Sequence, residues 1–408
     1  MGYDFDRAID RHGTASVQWD GLADRLGVPE LLPFTISDMD FASPPEVLAA
    51  LRDRVDHGVL GYTDWRLGEF REAIRHWYAT RHATAIDPES LVYAPSVLSQ
   101  LSQLLRMWTA PGDGVVVHTP TYDGFRKVVT GLGRELRGVP IGDPEALERE
   151  LARPDSRMLL LCSPHNPTGR VWTEEELLAF AELAERHGAA VVSDEIHADF
   201  VTEGHRHVPW TRIAEEVGAT GRGHRWALVT SGTKAFNFPA LSGSYGIVGD
   251  PDERTAFIRR METGEGLASP AVLSLTAHVA AYRRGAPWLD AARAYVAGTM
   301  ERARERLADE LPEAGWTPPQ AGYLAWIDLR PLGIDGEREE NRLQEELVEV
   351  EKVAVMPGGV YGTPGCVRLN LGCPRAKAER GVNALIRAAN RLRDRPRGLS
   401  GGSGSDTP

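Results

Sequence analysis

Lysine is scarce in this chain. Its 408 residues include 46 lysines and arginines, and only four of these are lysine, at Lys127, Lys234, Lys352 and Lys377. Arginine serves wherever a fixed positive charge is enough, whereas a nucleophilic amine requires lysine, because guanidinium keeps its proton. Scarcity alone does not distinguish the four lysines, so the residues around each one have to show which has a chemical role.

Other features are also missing, and each absence excludes a class of protein. Three cysteines are too few for a disulfide framework and fit a reducing cytoplasm. No apolar run approaches the roughly 18 residues that span a bilayer, and the polar start MGYDFDRAIDRHG is unlike a signal peptide. A net charge of −12 argues against nucleic-acid and anionic-membrane surfaces. No histidine and cysteine cluster has metal-ligand spacing, so we expect a cytoplasmic protein without metal, nucleic-acid or membrane partners.

The length and composition predict more than one domain. With 408 residues, of which 42% are hydrophobic and 25% charged, the chain is an ordinary globular protein that is too long for a single core. We expect a polar N-terminal arm over residues 1–40, a large domain over 41–285 and a smaller α+β domain over 286–395, to which the N-terminal arm also belongs. The Gly/Ser-rich residues 396–408 are expected to be a disordered tail.

Short apolar runs alternate with helical patterns between about residues 90 and 250. One intervening segment, TEEELLAFAELAERHG, has Thr173 as a candidate N-cap, Glu176 three residues later and apolar residues at helical spacing. Strand, helix and strand in this order predict a doubly wound α/β fold with a mostly parallel sheet. The runs predicted to be its strands are LVYA (91–94), VVVHTP (115–120), MLLLCSP (158–164), AAVVSDE (189–195), WALVTSG (226–232) and SYGIVGD (244–250).

Lys234 lies directly after one of these predicted strands, in TSGTKAFNFPA (230–240). Ligands of such sheets bind beyond the carboxyl ends of the strands, so the polar residues after each apolar run are the candidate site residues. A lysine in that position, within an uncharged stretch, is a candidate for forming a Schiff base with an aldehyde cofactor. The alternative interpretation is an ordinary surface lysine.

Pyridoxal 5′-phosphate (PLP) is such an aldehyde, and three further residues match what its ring requires. Asp194 can pair with the pyridine nitrogen, Asn166 can donate to the 3′-oxygen, and Tyr122 can stack on the ring. Each has an alternative interpretation, as a helix-capping or ion-paired aspartate, a turn asparagine in SPHNPTG and a core tyrosine.

The phosphate of such a cofactor requires N–H groups at a helix start together with hydroxyls. Ser96 and Ser99 open a predicted helix in PSVLSQLSQLL, and Ser231 and Thr233 directly precede the candidate lysine. Ordinary N-capping also explains the serines, and it is compatible with phosphate binding.

Several strings of the sequence resemble a known family. SPHNPTGR, VVSDEIHADF and SGTKAFNFPAL have the order and spacing found in PLP-dependent enzymes of fold type I, the aspartate aminotransferase-like class I/II group. YDFDRAIDRHGTASVQWD, SDMDFASPPEV, GYTDW and VRLNLGCPRA are similar to those of its MalY/PatB branch, which contains bacterial cystathionine β-lyases and related carbon–sulfur lyases. The resemblance implies a large domain with a mostly parallel seven-stranded sheet, and a homodimer whose subunits share their active sites.

The resemblance also implies roles for individual residues. Lys234 is implied to bind the cofactor and, with Tyr122, to act in catalysis. Arg368 in VRLN is implied to hold the α-carboxylate of the substrate, with Asn166 and Ser37 beside it. The residues implied to contact the cofactor are Lys234, Asp194, Asn166, His197, Tyr122, Ser231, Thr233, Val97, Leu98 and, from the neighbouring subunit, Tyr62.

The implied activity is α,β-elimination from an S-substituted L-cysteine, such as cystathionine or another cysteine S-conjugate, to a thiol, pyruvate and ammonia. An aminotransferase that uses the same residues is one alternative. Others are decarboxylation-dependent oxidative deamination of a cysteine S-conjugate in a biosynthetic pathway, and a non-enzymatic regulator. The chain departs from the usual residues of the branch at Thr35, Phe238 and PSVLSQ (95–100), and these departures bear on substrate choice and not on cofactor binding.

Overall fold

The computed structural model describes residues 2–28, 30–219 and 223–394, so the predicted tail at 396–408 lies outside the described residues. Within these ranges the chain forms one sheet of seven strands and one of four. This confirms the predicted α/β fold with a smaller α+β part, while the domain boundaries at 40 and 285 stay predictions. None of the described helices is long and apolar enough to cross a bilayer.

The strands of the described residues have the following bounds: β1 (Leu32–Phe34), β2 (Leu91–Ala94), β3 (Gly114–Thr119), β4 (Glu135–Pro140), β5 (Ser156–Cys162), β6 (Ala190–Asp194), β7 (Trp226–Thr230), β8 (Ser244–Val248), β9 (Leu324–Asp328), β10 (Val353–Pro357) and β11 (Cys366–Asn370). The large sheet has the order β2–β8–β7–β6–β5–β3–β4. Neighbours from β7 to β4 pair in parallel, whereas β8 is antiparallel to both β7 and β2.

All six strands predicted for the large sheet are present, and one strand was missed. The missed strand, β4, is ELRGVP at the edge of the sheet, where buried and exposed residues alternate. An edge strand with one solvated face carries polar residues and no continuous apolar run. The central strands are apolar throughout because both of their faces are covered: Leu159 and Leu161 of β5 face one core, and Met158 and Leu160 face the other.

The helices have the following bounds: α1 (Asp20–Leu26), α2 (Pro45–Asp56), α3 (Phe70–Arg81), α4 (Val97–Trp108), α5 (Asp123–Gly131), α6 (Pro144–Leu151), α7 (Glu174–Arg186), α8 (Trp210–Glu216), α9 (Pro251–Arg259), α10 (Val272–Arg284), α11 (Ala286–Glu310), α12 (Gly336–Glu345) and α13 (Arg375–Asp394). The predicted helix after Thr173 is α7. Thr173 accepts the Glu176 N–H while the Glu176 side chain accepts the Thr173 N–H, so the predicted N-terminus is confirmed as a capping box.

The four-stranded sheet has the order β1–β10–β11–β9. Three of its strands follow residue 320, and the fourth, β1, comes from the predicted N-terminal arm and pairs in parallel with β10. The arm therefore joins the beginning of the chain to its C-terminal sheet. It also brings residues 35–38 close to the ends of β6 and β7, because the Ser37 carbonyl accepts a hydrogen bond from Lys234 at 2.8 Å.

Candidate active site

A cleft lies at the carboxyl ends of β5, β6 and β7, beside the first turn of α4. It holds about 830 Å³ of empty space, including its open mouth. Ten of the twelve predicted site residues line it: Ser37, Val97, Leu98, Tyr122, Asn166, Asp194, His197, Ser231, Thr233 and Lys234. The chain thus brings residues from six separate sequence segments to the sheet edge that the strand pattern predicts.

Lys234 lies in the turn after β7, and its Nζ donates to the Ser37 carbonyl oxygen at 2.8 Å. Burial lowers the pKa of Lys234 to about 8, although the negative charges of Asp38 and Asp194 oppose the shift. Roughly a tenth of the amines are therefore neutral at pH 7, against well under a thousandth for an ordinary lysine. A neutral amine can act as a nucleophile towards an aldehyde and as a base towards a carbon acid.

Asp194 ends β6 and is 4% exposed. Its Oδ1 accepts the backbone N–H of Ile196 at 3.1 Å, and no lysine or arginine of the described residues forms an ion pair with it. Burial raises the pKa of Asp194 to about 7. A buried carboxyl group without a cationic partner is suited to a protonated ring nitrogen, which would stabilise its charged form.

His197 follows Asp194 by three residues and is buried in the same wall of the cleft. Burial, reinforced by the positive charges of Lys234 and Arg368, lowers the pKa of His197 to about 3. The imidazole is therefore neutral at physiological pH, so one ring nitrogen can donate a hydrogen bond and the other can accept one.

Arg368 lies on β11 and is 3% exposed, behind the wall of the cleft. Its guanidinium donates to Asn166 Oδ1 at 3.0 Å and to the Thr35 carbonyl at 2.8 Å, while its Nε has no partner. Both acceptors are neutral, and no carboxylate within the described ranges pairs with this cation. A buried cation without a counter-ion is costly, so Arg368 is suited to binding an incoming carboxylate in bidentate fashion.

Tyr122 precedes α5 and lines the cleft. Burial raises the pKa of Tyr122 to about 12, and the charges of Asp123 and Asp194 act in the same direction, so the phenol keeps its proton at neutral pH. Gly124 leaves space for the ring, because a Cβ at that position would lie 2.4 Å from Tyr122 Cε1. The ring is therefore available as a stacking surface and its hydroxyl as a proton donor.

The first turn of α4 forms the other end of the cleft. Ser96 Oγ accepts the Ser99 N–H and Ser99 Oγ accepts the Ser96 N–H, each at 3.1 Å, so the two serine side chains form a capping box. The N–H groups of Val97 and Leu98 belong to the same turn, where no carbonyl of the helix can accept them. With the positive end of the helix dipole, they make a site suited to a phosphate.

Six lining residues were missed from the sequence: Pro95, Cys162, Ile196, Pro239, Ser242 and Gly243. Cys162 is the last residue of β5, so the strand-end rule that selects Asp194 selects it as well. Ser242 and Gly243 reach the cleft because the chain returns towards β8, where the Gly243 carbonyl accepts the Ser231 hydroxyl at 2.8 Å. No sequence pattern signals that return.

Tyr62 is, with Arg368, one of the two predicted site residues outside the cleft lining. Its side chain is 100% exposed and does not line the cleft of its own chain. The large apolar residues Val59, Leu60 and Leu67 around it are also exposed.

The chain matches the aminotransferase class I and II family over residues 29–385. Protein MalY of Escherichia coli (strain K12) is 49% identical to it over 96% of this chain and 100% of that protein. Cystathionine β-lyase PatB of Bacillus subtilis (strain 168) is 35% identical over 93% and 98% of the two chains. A solved structure of a PLP-bound C–S lyase from Staphylococcus hominis aligns with a TM-score of 0.86 at 27% identity, over 95% of this chain and 98% of that one. This chain belongs to the aminotransferase class I and II family, in the branch that contains MalY and PatB.

Proposed function

We propose that this protein is a PLP-dependent carbon–sulfur β-lyase, which cleaves an S-substituted L-cysteine by α,β-elimination. One water is consumed overall, and the products are a thiol, pyruvate and ammonia. The observation that carries the reaction type is the similarity, over almost the whole chain, to proteins named as a cystathionine β-lyase and a C–S lyase. The cleft by itself suits elimination and transamination equally, because both use the same groups.

The walls of the cleft fit PLP chemically. Lys234 offers an amine with a lowered pKa for the aldehyde, and Asp194 offers an unpaired buried carboxyl group for the ring nitrogen. The first-turn N–H groups of Val97 and Leu98 face the place for the phosphate. When bound, PLP supplies a ring that delocalises the electron pair left on the substrate when its α-proton is removed.

The remaining cleft residues would hold the ring in place. Tyr122 would stack on one of its faces. Asn166 and His197 also line the cleft, and an amide N–H and a neutral imidazole could each donate a hydrogen bond to the 3′-oxygen. Ser231 and Thr233 add hydroxyl groups at the phosphate end.

The reaction then depends on three side chains of this protein. Arg368 binds the α-carboxylate of the substrate and fixes the orientation of its α-carbon. Lys234, as a neutral amine, removes the proton from that carbon, and the bond between the β-carbon and sulfur breaks as the thiolate leaves. The leaving sulfur receives a proton from Lys234 or from the Tyr122 hydroxyl, which stays protonated because its pKa lies near 12.

A product assay tests this function. The purified protein, loaded with PLP, is incubated with L-cystathionine and with S-alkyl cysteines, without any keto acid. Pyruvate and thiol should appear in equal amounts over many turnovers. Release of no pyruvate, together with a single conversion of the cofactor to its amine form, would show an aminotransferase, which is the second candidate because the family is named for that activity.

The protein is further proposed to be a cytoplasmic homodimer in which Tyr62 reaches the phosphate end of the partner's cleft. The three cysteines are buried free thiols, as expected in a reducing compartment. The fully exposed Tyr62 and the exposed Val59, Leu60 and Leu67 form an apolar surface of the kind that partner subunits cover.

Mixing two inactive variants tests the shared site. Lys234→Arg and Tyr62→Ala subunits are each expected to be weakly active alone. In a mixed dimer, one cleft has both an intact Lys234 and an intact Tyr62 from the neighbour, so random mixing should restore about a quarter of wild-type turnover. Light scattering at the monomer mass, or no restoration after subunit exchange, would contradict the proposal.

A further inference from the structure

His278 lies directly behind the phosphate end of the cleft without lining it. It belongs to α10 and is 1% exposed. Its Nε2 lies 3.1 Å from Ser231 Oγ, and its Nδ1 lies 2.8 Å from the Ser274 carbonyl oxygen. Ser231 is therefore the link between a buried imidazole and the place where the phosphate would bind.

The hydrogen bonds of His278 fix its protonation pattern. A carbonyl oxygen can only accept, so Nδ1 carries a proton and donates it to Ser274. In the neutral ring, Nε2 is then an acceptor, and the single hydroxyl proton of Ser231 is shared between Nε2 and the Gly243 carbonyl, 2.8 Å away. The Ser231 hydroxyl also accepts the Thr233 N–H at 3.2 Å. While His278 is neutral, a Ser231 hydroxyl that turns towards a phosphate leaves both His278 Nε2 and the Gly243 carbonyl without a donor.

A protonated His278 removes most of this conflict. Nε2 then donates to Ser231 Oγ, and the hydroxyl proton is free to turn towards an anion, so that only the Gly243 carbonyl loses its donor. A cation linked to the anion through the Ser231 hydroxyl would also be stabilised electrostatically.

The phosphate end of the cleft needs such a charge. Its lining residues there are Pro95, Ser96, Val97, Leu98, Ser231, Thr233, Ser242 and Gly243, and none of these is a lysine or an arginine. Helix N–H groups and hydroxyls supply only partial charges, whereas a phosphate ester carries close to two negative charges at neutral pH.

The groups that surround His278 are uncharged. The rings of Phe70 from α3, Phe238 after Lys234 and Tyr282 on α10 lie with their centroids 6.0, 5.1 and 6.1 Å from the imidazole. Tyr93 on β2 is the other titratable residue nearby, through Ser274, and burial raises the pKa of Tyr93 to about 12. In the free protein burial lowers the pKa of His278 to about 4, so a bound anion meets an imidazole that is neutral beforehand.

We propose that His278 is a positioning residue, which takes up a proton when the phosphate binds and thereby turns the Ser231 hydroxyl towards it. The inference rests on the PLP-binding function proposed above. It predicts that phosphate binding consumes a proton, so that affinity falls as the pH rises.

The test uses the full-length chain freed of its cofactor and titrated with 4-deoxypyridoxine 5′-phosphate, which has the phosphate but no aldehyde. Calorimetry in buffers of different ionisation enthalpy, between pH 7 and 9, measures affinity and proton uptake while the phosphate stays a dianion. Wild type should take up about one proton more than His278→Gln at the lower end of this pH range. The glutamine amide donates to Ser231 at every pH and needs no added proton. The affinity of His278→Gln should accordingly fall less steeply with pH. His278→Phe should bind about tenfold more weakly at pH 7, as expected for one lost hydrogen bond to a charged network.

A double-mutant cycle separates positioning from general structure. In a Ser231→Ala background, His278→Phe should cause no further loss of affinity. His118→Phe is the matched control, because His118 is a buried histidine packed on Trp172 and Phe180 outside the cleft lining, and its binding should equal that of wild type. Equal proton uptake by wild type and His278→Gln, or an undiminished effect of His278→Phe in the Ser231→Ala background, would overturn the inference. Failure of the wild-type chain to bind PLP at all would instead overturn the proposed function.

Discussion

Two of the four lysines, Lys234 and Lys377, are held inside the protein, but their surroundings differ. Lys377 forms an ion pair with Asp40, and its Nζ lies 4.6 and 4.9 Å from the ring centroids of Trp19 and Phe34. Lys234 has one hydrogen bond, to the neutral carbonyl of Ser37, and burial lowers its pKa to about 8.

This difference is what we expect if Lys377 has a structural role and Lys234 the proposed chemical role. A cation that only stabilises the fold is paired, because an unpaired buried charge is costly. A cationic side chain that reacts or binds substrate has to lack a carboxylate partner within the protein, so that it can interact with the substrate. Arg368, which donates only to Asn166 and a carbonyl, is like Lys234 in this respect.

The largest effect is expected for Lys234→Arg. The variant keeps the positive charge and loses the nucleophilic amine, so pyruvate formation should fall by at least about 10³-fold. Borohydride treatment followed by peptide mass spectrometry should attach the cofactor to residue 234 in wild type and to no residue in the variant. Lys352→Arg, at an exposed lysine, is the control and should behave as wild type; equal turnover in Lys234→Arg would refute the role of this amine.

Arg368→Lys should have the next largest effect. A lysine cannot form the bidentate contact with the α-carboxylate, so kcat/KM should fall about 10²-fold, mainly through a higher KM. The absorbance of the bound cofactor should not change, because Arg368 is proposed to bind the substrate and not the cofactor. Steady-state kinetics with L-cystathionine measure kcat and KM separately, and an unchanged KM would show that the carboxylate binds elsewhere.

Capture of PLP by the cofactor-free chain should depend on pH through Lys234. Only the neutral amine reacts, so the rate should rise about tenfold per pH unit below pH 8 and level off above it. Asp38 raises the pKa of Lys234 by its charge, so Asp38→Asn should move the midpoint to lower pH. Stopped-flow absorbance measures both profiles, and a midpoint near 10 would show an unperturbed lysine.

The strands show how much of the fold can be predicted from the sequence. The hydrophobic pattern and the length of the apolar runs identified the central strands, because burial on both faces makes these strands apolar throughout. They missed β4, whose one solvated face breaks the apolar run. The arm was expected to belong with the small domain, but no pattern predicted a strand at β1 or its pairing with β10. That pairing joins residues more than 300 positions apart, and no local pattern encodes it.

The same limit applies to the candidate site. The strand-end rule located Lys234, Asp194 and Asn166, since each follows a recognisable apolar run. It could not show that Ser37 and Thr35 act through their backbone carbonyls, because a carbonyl carries no sequence signal. His278 lies in an apolar helix whose periodicity indicates only burial, so its contact with Ser231 emerges only from the packing of α10 on the sheet.

The smallest effects are expected on stability, when Lys377 and Lys234 are each replaced by methionine in the cofactor-free chain, and these two variants give the sharpest test of the comparison. Lys377→Met leaves Asp40 with Arg11 at 2.8 Å and Trp19 at 3.0 Å, so the free energy of unfolding should fall by about 1–2 kcal/mol, less than for an uncompensated buried charge. Its turnover should stay at the wild-type level. Lys234→Met removes a buried amine that no carboxylate pairs with, so stability should be unchanged or higher while turnover is lost. Urea unfolding measures both variants. A loss of stability in Lys234→Met as large as that in Lys377→Met would mean that Lys234 supports the fold, and the distinction between paired structural and unpaired reactive cations would fail.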